Sequence, residues 1–162
     1  MSKMSQMIPT ERLNIRLASD EEMRALIAEE PDEEMKKAYG EMLALSLADP
    51  SQRQWAAVWF IESKNGERIG DLCFKGLSPD GITEIGYGLL PAFWGKGYAS
   101  EAVGAVVGWA LRQPGVTRIE AETDPDNAAS QRVLEKAGFL PTGTVGEEGP
   151  RFVLFPAGRT EK

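Results

Sequence analysis

Histidine is absent from all 162 residues of the chain. Its absence excludes Ser–His and Cys–His nucleophile pairs, every zinc site that uses an imidazole, and the side chain that most often transfers protons near neutral pH. Acid–base chemistry in this protein must therefore come from carboxylates, tyrosines, hydroxyl groups or water.

Cysteine and long apolar runs are also scarce. Cys73 is the single cysteine, so neither an intrachain disulfide nor a thiolate metal cluster can form, and we expect no metal ion. No run approaches the roughly 18 apolar residues needed to span a bilayer, and residues 1–10 lack the apolar core of a secretion signal. We therefore expect a cytoplasmic protein that does not bind membranes.

Positive charge is in short supply as well. The chain has 18 Lys and Arg residues against 25 Asp and Glu residues, a formal net charge of -7. A polyanion would be repelled on average, so nucleic acid is not an expected partner. A cationic or amine-bearing partner suits this charge better.

The hydrophobic pattern predicts one mixed α/β domain over residues 1–162, with an ordered core from about 10 to 156. The predicted strands are residues 13–18, 55–61, 68–75, 82–90, 118–123, 139–144 and 151–155. Two helices follow the first strand, a long one follows the fourth, and a short one follows the fifth. The predicted order is thus β-α-α-β-β-β-α-β-α-β-β, with an antiparallel meander and one strand–helix–strand crossover; a homodimer stays open.

One segment of the chain carries a distinctive loop, Trp94-Gly95-Lys96-Gly97-Tyr98-Ala99, where a strand ends and a helix begins. Such a junction exposes unpaired N–H groups at the positive end of the helix dipole, and glycines there leave room for a phosphate. A lone Gly-x-Gly is more often an ordinary turn with a solvated lysine. An ATPase loop would need Ser or Thr after the lysine, and a dinucleotide fingerprint would need parallel strands before it.

A second segment, residues 124–139, reads Asp-Pro-Asp-Asn-Ala-Ala-Ser-Gln-Arg-Val-Leu-Glu-Lys-Ala-Gly-Phe. Together the two segments resemble the GNAT superfamily of acetyl-CoA-dependent N-acetyltransferases, most closely the branch with the ribosomal-protein alanine N-acetyltransferases. The resemblance covers residues 84–139, and the predicted element order matches the GNAT fold, a mixed sheet in which a splayed pair of strands holds the CoA. The chain departs from the family pattern at Trp94, where the family has Gln or Arg.

The resemblance implies that acetyl-CoA is the co-substrate and that its pyrophosphate binds the glycine loop. The implied cofactor-binding residues are Leu89, Leu90, Gly95, Lys96, Gly97, Tyr98, Ala99, Ser100, Asn127 and Arg132. The N–H of Leu89 or Leu90 is the candidate donor to the oxyanion. Asn127 is equally well explained as a helix N-cap, and Arg132 as a solvated surface charge.

The implied reaction is direct attack of a primary amine on the thioester. Without histidine, the base must be a carboxylate or water, and Glu84 is the first choice. Strand alternation places Glu84 on one face with Gly86 and Gly88, which leave an empty groove beside it. An ion pair with Arg68 or Lys75 is a nearly equal explanation of Glu84.

Other catalytic groups are less clearly marked. Glu120 and Glu122 on the next strand are second choices for the base. The family tyrosine that protonates the departing thiolate falls at Leu134, which cannot donate a proton, so Ser130 is the candidate acid. A first-turn serine that bonds locally explains Ser130 as well.

Two function classes stay open at this point. The first is an N-acetyltransferase whose acceptor contacts come from the two early helices and from residues 143–150. The second is a non-catalytic acyl-CoA-binding module, a sensor or interaction domain, which the missing tyrosine favours. Both would bind CoA, but only the first would release free thiol in the presence of an amine.

Overall fold

The computed structural model describes residues 6–156. Its strands are β1 (Met7–Pro9), β2 (Leu13–Leu17), β3 (Trp59–Ser63), β4 (Arg68–Phe74), β5 (Ile82–Leu89), β6 (Arg118–Glu122), β7 (Leu140–Val145) and β8 (Pro150–Leu154). Its helices are α1 (Asp20–Glu29), α2 (Glu33–Ala48), α3 (Arg53–Ala56), α4 (Tyr98–Leu111) and α5 (Ala128–Lys136). Short 3-10 turns, Pro50–Gln52 and Pro91–Phe93, lie before α3 and α4. The predicted fold class and order are confirmed, with β1 and α3 as elements that the sequence did not indicate.

All eight strands form one sheet in the order β1-β2-β3-β4-β5-β6-β8-β7. The antiparallel pairing of β3 with β4 and of β4 with β5 confirms the predicted meander. Strands β5 and β6 run parallel and are joined by α4, which confirms the predicted crossover. The crossover places the start of α4 at the end of β5, where the glycine loop lies.

The predicted strand over residues 55–61 is wrong in its first half. Trp55 belongs to α3, and β3 begins only at Trp59. The apolar run is nevertheless buried, because the Trp55 ring packs against the rings of Phe74 and Trp109 at centroid distances of 5.0 and 5.5 Å. A continuous apolar run fits a buried helix turn as well as a buried strand, so the pattern alone could not separate them.

Helix α4 covers one face of the sheet. The Trp109 ring lies 5.1 Å from that of Trp59 and 6.2 Å from that of Phe74. Phe74 is paired with Ile85 across the β4–β5 ladder, so the side chains of Ile85 and of Tyr87 point to the α4 face.

Helix α1, against which α2 packs, lies on the opposite face. Arg16 of β2 bonds there to Glu22 of α1 at 2.7 Å. Strand alternation places Glu84, Gly86 and Gly88 on this face, which we name the Glu84 face. Helix α1 starts at the predicted capping box, in which the Ser19 side chain and the Glu22 side chain each bond the other residue's backbone N–H.

Helix α5 is fixed at both ends by local signals. Asn127 is its N-cap, and Gly138 follows its C-cap with φ of 103°. The N–H of Phe139 bonds the Leu134 carbonyl at 3.0 Å, which closes a Schellman motif. Among residues 6–156, no helix combines the length and the apolar character that crossing a membrane requires.

Two Gly→Ala substitutions should change the free energy of unfolding in opposite directions. At Gly138, an alanine would be held at positive φ, with its Cβ 3.3 Å from Leu154, so we expect a loss of about 1–2 kcal/mol. At Gly40, inside α2, a Cβ meets nothing within 4 Å, and alanine should stabilise by about 0.5–1 kcal/mol. Urea denaturation monitored by circular dichroism measures both changes. Equal effects at the two sites would contradict the assigned α5 terminus.

Candidate active site

Strands β5 and β6 separate partway along their length. Their pairing runs from Ile82 with Arg118 to Ile85 with Ala121, and β6 ends one residue later at Glu122. Strand β5 continues to Leu89 without a strand on that side. The splayed pair implied by the family resemblance is therefore present, with a gap beside residues 86–89.

The backbone direction along β5 decides which groups face this gap. The Glu84 carbonyl accepts a hydrogen bond from the Lys75 N–H at 2.9 Å, and the Leu90 N–H donates to the Ile69 carbonyl at 2.8 Å. Both residues thus point their backbone groups to β4, and alternation turns those of Tyr87 and Leu89 into the gap. The Leu90 N–H is already used inside the sheet, so its expected role as oxyanion donor is wrong, and the Leu89 N–H is the one that faces the gap.

Trp94 closes part of this gap. Its indole Nε1–H donates to the Leu89 carbonyl at 3.0 Å, and 63% of the residue remains exposed. The residue that stands at the family's Gln/Arg position therefore holds a strand-end carbonyl. The Leu89 N–H and the backbone groups of Tyr87 remain available to an extended ligand, as in β-augmentation.

The glycine loop has the geometry of an anion cradle. Gly95 and Gly97 have φ of 77° and 82°, which side-chain-bearing residues rarely adopt, and a Cβ on Gly95 would meet nothing within 4 Å. Gly97 is the N-cap of α4 and provides no side-chain cap. The first intrahelical bond runs from the Glu101 N–H to the Gly97 carbonyl at 3.1 Å. The three preceding N–H groups, on residues 98–100, therefore have no intrahelical acceptor.

Residues of the β1–β2 connection bond to α4 and to this loop; we name the bonds of Arg12 and Thr10 to Glu101 the Arg12–Glu101 latch. Arg12 Nε lies 2.7 Å from Glu101 Oε1, and the Thr10 hydroxyl donates to Glu101 Oε2 at 2.6 Å. Arg12 Nη1 also donates to the Lys96 carbonyl at 3.1 Å, and the guanidinium lies 4.3 Å from the centre of the Tyr98 ring. The sequence indicated only a favourable charge at a helix start for Glu101, because the partner lies 89 residues away.

Ser130 faces β5 across the gap. Its hydroxyl lies 2.7 Å from the Tyr87 hydroxyl. Burial raises the pKa of Tyr87, and the bond to Ser130 offsets only part of that rise, so the pair stays protonated near neutral pH. Sequence reasoning missed Tyr87 because its partner is on α5. The available signal was a tyrosine between two strand glycines.

Asn127 and Arg132 lie on the same helix. The Asn127 Oδ1 accepts the Ser130 N–H at 3.0 Å, which confirms the N-cap explanation and leaves the amide nitrogen of Asn127 free to donate elsewhere. Arg132 is exposed, and so is Lys96 in the glycine loop. Their contacts to phosphate remain predictions.

Glu84 is held by two cations. Its oxygens lie 3.2 Å from Lys75 Nζ and 3.0 Å from Arg151 Nη2. Arg151 also pairs with Glu120 at 2.8 Å and with Glu122. The ion-pair explanation of Glu84 through Lys75 is thus confirmed, and all three carboxylates proposed as bases are occupied.

Hydrogen bonds keep Glu120 and Glu122, the second choices for the base, ionised. Burial would raise the pKa of Glu120, but bonds from Arg118 and Arg151 outweigh it and lower that pKa. The Glu148 N–H and Arg151 hold the pKa of Glu122 below its usual value. Both carboxylates are therefore poor proton acceptors near neutral pH.

A cavity and a further carboxylate lie near the ion pairs that Arg151 makes with Glu84, Glu120 and Glu122. A cavity of about 310 Å³ opens beside it, lined by Lys75, Glu84, Glu122, Gly146, Glu147, Glu148 and Arg151. It brings part of the expected acceptor loop, residues 143–150, next to Glu84. Towards β4, Asp71 lies opposite Gly88 in the sheet register; sequence reasoning did not single out Asp71, because its environment is built by other elements.

The chain is similar to acetyltransferases over most of its length. The sequence profile described as "Acetyltransferase (GNAT) domain" matches residues 9–140. The uncharacterized N-acetyltransferase YoaA of Bacillus subtilis is 32% identical over 150 residues, 85% of this chain and 85% of the relative.

Solved structures share the fold. RimL, a ribosomal L7/L12 alpha-N-protein acetyltransferase in complex with coenzyme A, superposes with a TM-score of 0.73 at 21% identity, covering 93% of this chain and 98% of that one. The ribosomal-protein-S5-alanine acetyltransferase of Vibrio fischeri gives a TM-score of 0.70 at 20% identity, covering 96% of this chain and 100% of that one.

The Arg12–Glu101 latch should make stability depend on pH. Partial burial alone would raise the pKa of Glu101, but bonds from Thr10 and Arg12 outweigh it and lower that pKa. A carboxylate of this kind stabilises the fold above its unfolded pKa, about 4.3, and this stabilisation is lost as the pH falls through the lowered folded pKa. We therefore expect Glu101→Gln to lower the free energy of unfolding at pH 7, with the difference from wild type shrinking in acid.

Urea denaturation at a series of pH values measures this difference. Glu41→Gln, at an exposed position of α2, is the matched control and should leave the curve unchanged. A Glu101→Gln deficit that stays constant down to acid pH would contradict the latch.

Proposed function

The chain belongs to the acetyltransferase (GNAT) family, and from this premise we propose that it transfers an acetyl group from acetyl-CoA to a primary amine by direct attack in a ternary complex. The amine belongs to a protein N-terminus or to a small molecule. The observation that carries the proposal is the gap between β5 and β6, which leads to a loop whose helix-start N–H groups have no intrahelical acceptor.

The chain's own residues fit acetyl-CoA. The proposed contacts are Leu89 and Leu90 at the strand end, Gly95, Lys96, Gly97, Tyr98, Ala99 and Ser100 in the loop and first helical turn, and Asn127 and Arg132 on α5. The loop and first turn offer main-chain donors to a diphosphate, because no capping side chain uses them. We propose that the gap offers the unpaired backbone of β5 to the pantetheine arm and that the Asn127 amide bonds the far side of that arm.

Three groups would carry the chemistry of the thioester. The Leu89 N–H, which faces the gap, stabilises the developing oxyanion. Ser130 and Tyr87, whose hydroxyls lie 2.7 Å apart, donate a proton to the departing thiolate. A carboxylate on the Glu84 face removes the proton of the attacking ammonium; Glu84 itself serves only when Lys75 or Arg151 releases one of its oxygens.

A module that binds acyl-CoA without transferring the acyl group is the second candidate. Its support in the sequence was Leu134 at the position of the family tyrosine. The Tyr87 hydroxyl beside Ser130 weakens that support, because it supplies a phenol from β5.

We also propose that the reaction takes place in the cytoplasm, which suits a chain with a single cysteine.

A panel of amines tests the proposed function. Structural neighbours of the chain are named as acetyltransferases of ribosomal proteins, so peptides with ribosomal-protein N-termini belong in the panel beside small amines and diamines. We expect thiol release from acetyl-CoA to accelerate with at least one amine, followed with a thiol-reactive dye. Acetyl-CoA binding without any amine-dependent thiol release would favour the non-catalytic module.

Lys96→Glu provides a cofactor control for that assay. The residue is exposed in the glycine loop, so the fold should be unaffected, while the reversed charge should weaken acetyl-CoA binding by about tenfold. S-acetyl-pantetheine, which lacks the diphosphate, should react equally with both proteins. Lys37→Glu, at an exposed position of α2, is the matched substitution and should bind acetyl-CoA as wild type does.

Tyr87→Phe should lower kcat by about tenfold to 100-fold, a modest loss for a general acid, because a thiol of pKa about 8.5 leaves readily. Binding of acetyl-CoA should stay within about twofold of wild type, because the hydroxyl faces Ser130 rather than the loop. Ser130→Ala should lower kcat less than Tyr87→Phe. Steady-state kinetics with the best amine of the panel measure both variants, and an unchanged kcat in both would remove the pair from the mechanism.

A further inference from the structure

Gly86 and Gly88 leave open space on the Glu84 face, which we name the groove. Neither Gly86 nor Gly88 has positive φ, and a Cβ built on either would meet nothing within 4 Å. At Gly70, by contrast, a Cβ would lie 2.2 Å from a backbone oxygen. Backbone conformation and packing therefore explain Gly70 but not Gly86 or Gly88, and the space above these two residues suits a ligand.

Asp71 stands at the wall of this groove. The β4–β5 register pairs Asp71 with Gly88 and the preceding residue, Gly70, with Leu89. Paired residues of an antiparallel ladder share a face, so the Asp71 side chain lies on the Glu84 face beside a residue that has no side chain. Leu89, whose N–H is the proposed oxyanion donor, directly follows Gly88 on β5.

Asp71 differs from the other carboxylates of this face in its partners. Glu84, Glu120 and Glu122 are each paired with at least one cation. Within residues 6–156, no ion pair or hydrogen bond engages the Asp71 carboxylate. The nearest cation on its own strand is Arg68, whose guanidinium lies 3.8 Å from the centre of the Phe60 ring.

The groups that act on Asp71 come from three elements. Burial raises the pKa of Asp71, Arg68 opposes this rise, and Glu30 at the end of α1 adds to it. Tyr39 of α2 and Cys73 of β4 lie within the same electrostatic environment. Burial and the charge of Asp71 raise the pKa of Tyr39 to about 12, so Tyr39 stays neutral.

We propose that Asp71 is the general base of the acetyl transfer and that the acceptor amine occupies the groove above Gly86 and Gly88. This assignment rests on the proposed function. Asp71 takes one proton from the ammonium, and the freed lone pair forms the N–C bond to the thioester carbon. The C–S bond breaks, and its electron pair stays on sulfur. The nitrogen gives up a second proton, which the Tyr87 and Ser130 hydroxyls pass to the thiolate. Asp71 then returns its proton to water.

An unpaired, partly buried carboxylate costs stability, and this cost separates a catalytic role from a structural one. Because the folded-state pKa of Asp71 is raised, the native protein binds this proton more tightly than the unfolded chain, and stability falls as the pH rises through that window. A neutral residue at position 71 should therefore leave the protein at pH 7 at least as stable as wild type.

The test compares Asp71→Asn with wild type on the best amine of the panel. We expect kcat to fall by about 100-fold or more, acetyl-CoA affinity to stay within about twofold, and the melting temperature at pH 7 to be unchanged or higher. The acidic limb of the pH–rate profile should disappear in the variant, and Asp71→Glu should restore part of the rate. Asp80→Asn, at an exposed position before β5, is the matched control and should behave as wild type.

Two results would overturn the assignment. One is an Asp71→Asn protein that retains kcat and the acidic limb. The other is a large loss in Glu84→Gln with little change in Asp71→Asn, which would return the role to Glu84. If the proposed function itself is wrong, wild type will release no thiol. In that case, calorimetry can compare the binding of a panel amine to the CoA complexes of wild type and Asp71→Asn. Equal binding would refute the groove as the site of the amine.

Discussion

Backbone N–H and C=O groups must find partners, and the early end of the β5–β6 pairing leaves some of them without one. Beyond Ile85 and Ala121 the two strands no longer pair, so the groups of Tyr87 and Leu89 face a gap. Trp94 satisfies the Leu89 carbonyl from within the chain. The Leu89 N–H and the backbone groups of Tyr87 remain available to an extended ligand. Helix α4 begins at the same end of the gap, and its first N–H groups have no intrahelical acceptor. The proposed path of the cofactor is thus the place where the pairing of β5 with β6 stops.

The period-two alternation of β5 separates two kinds of chemistry. Its odd-numbered residues turn to the α4 face, where Tyr87 meets Ser130 of α5. Its even-numbered residues turn to the opposite face, where Gly86 and Gly88 leave the groove beside Asp71. The gap lies at the β6 edge of β5, so a thioester in the gap and an amine in the groove would meet along that edge. Arg151 gathers the other carboxylates of that face into ion pairs, and Asp71 is left outside this cluster.

Much of the fold could be predicted because its signals are local. The α1 capping box, the Asn127 cap and the glycine after α5 each depend on residues within a few positions of one another. The glycine loop was found for the same reason. The errors lie where local signals are ambiguous, as in the apolar run that begins with Trp55, or where the partner is distant, as for Glu101 and Arg12.

The sequence by itself determined the element order apart from β1 and α3, the loop at residues 95–100 and the exclusion of histidine chemistry, since these follow from composition and short-range spacing. Tertiary structure alone decided which strand-end N–H faces the gap, which hydroxyl meets Ser130, and which carboxylates are occupied by cations. Register and pairing set those outcomes. Both depend on contacts between strands and helices that are remote in the chain. A linear pattern therefore does not encode whether a carboxylate lies beside an arginine, as Glu84 does, or beside a glycine, as Asp71 does.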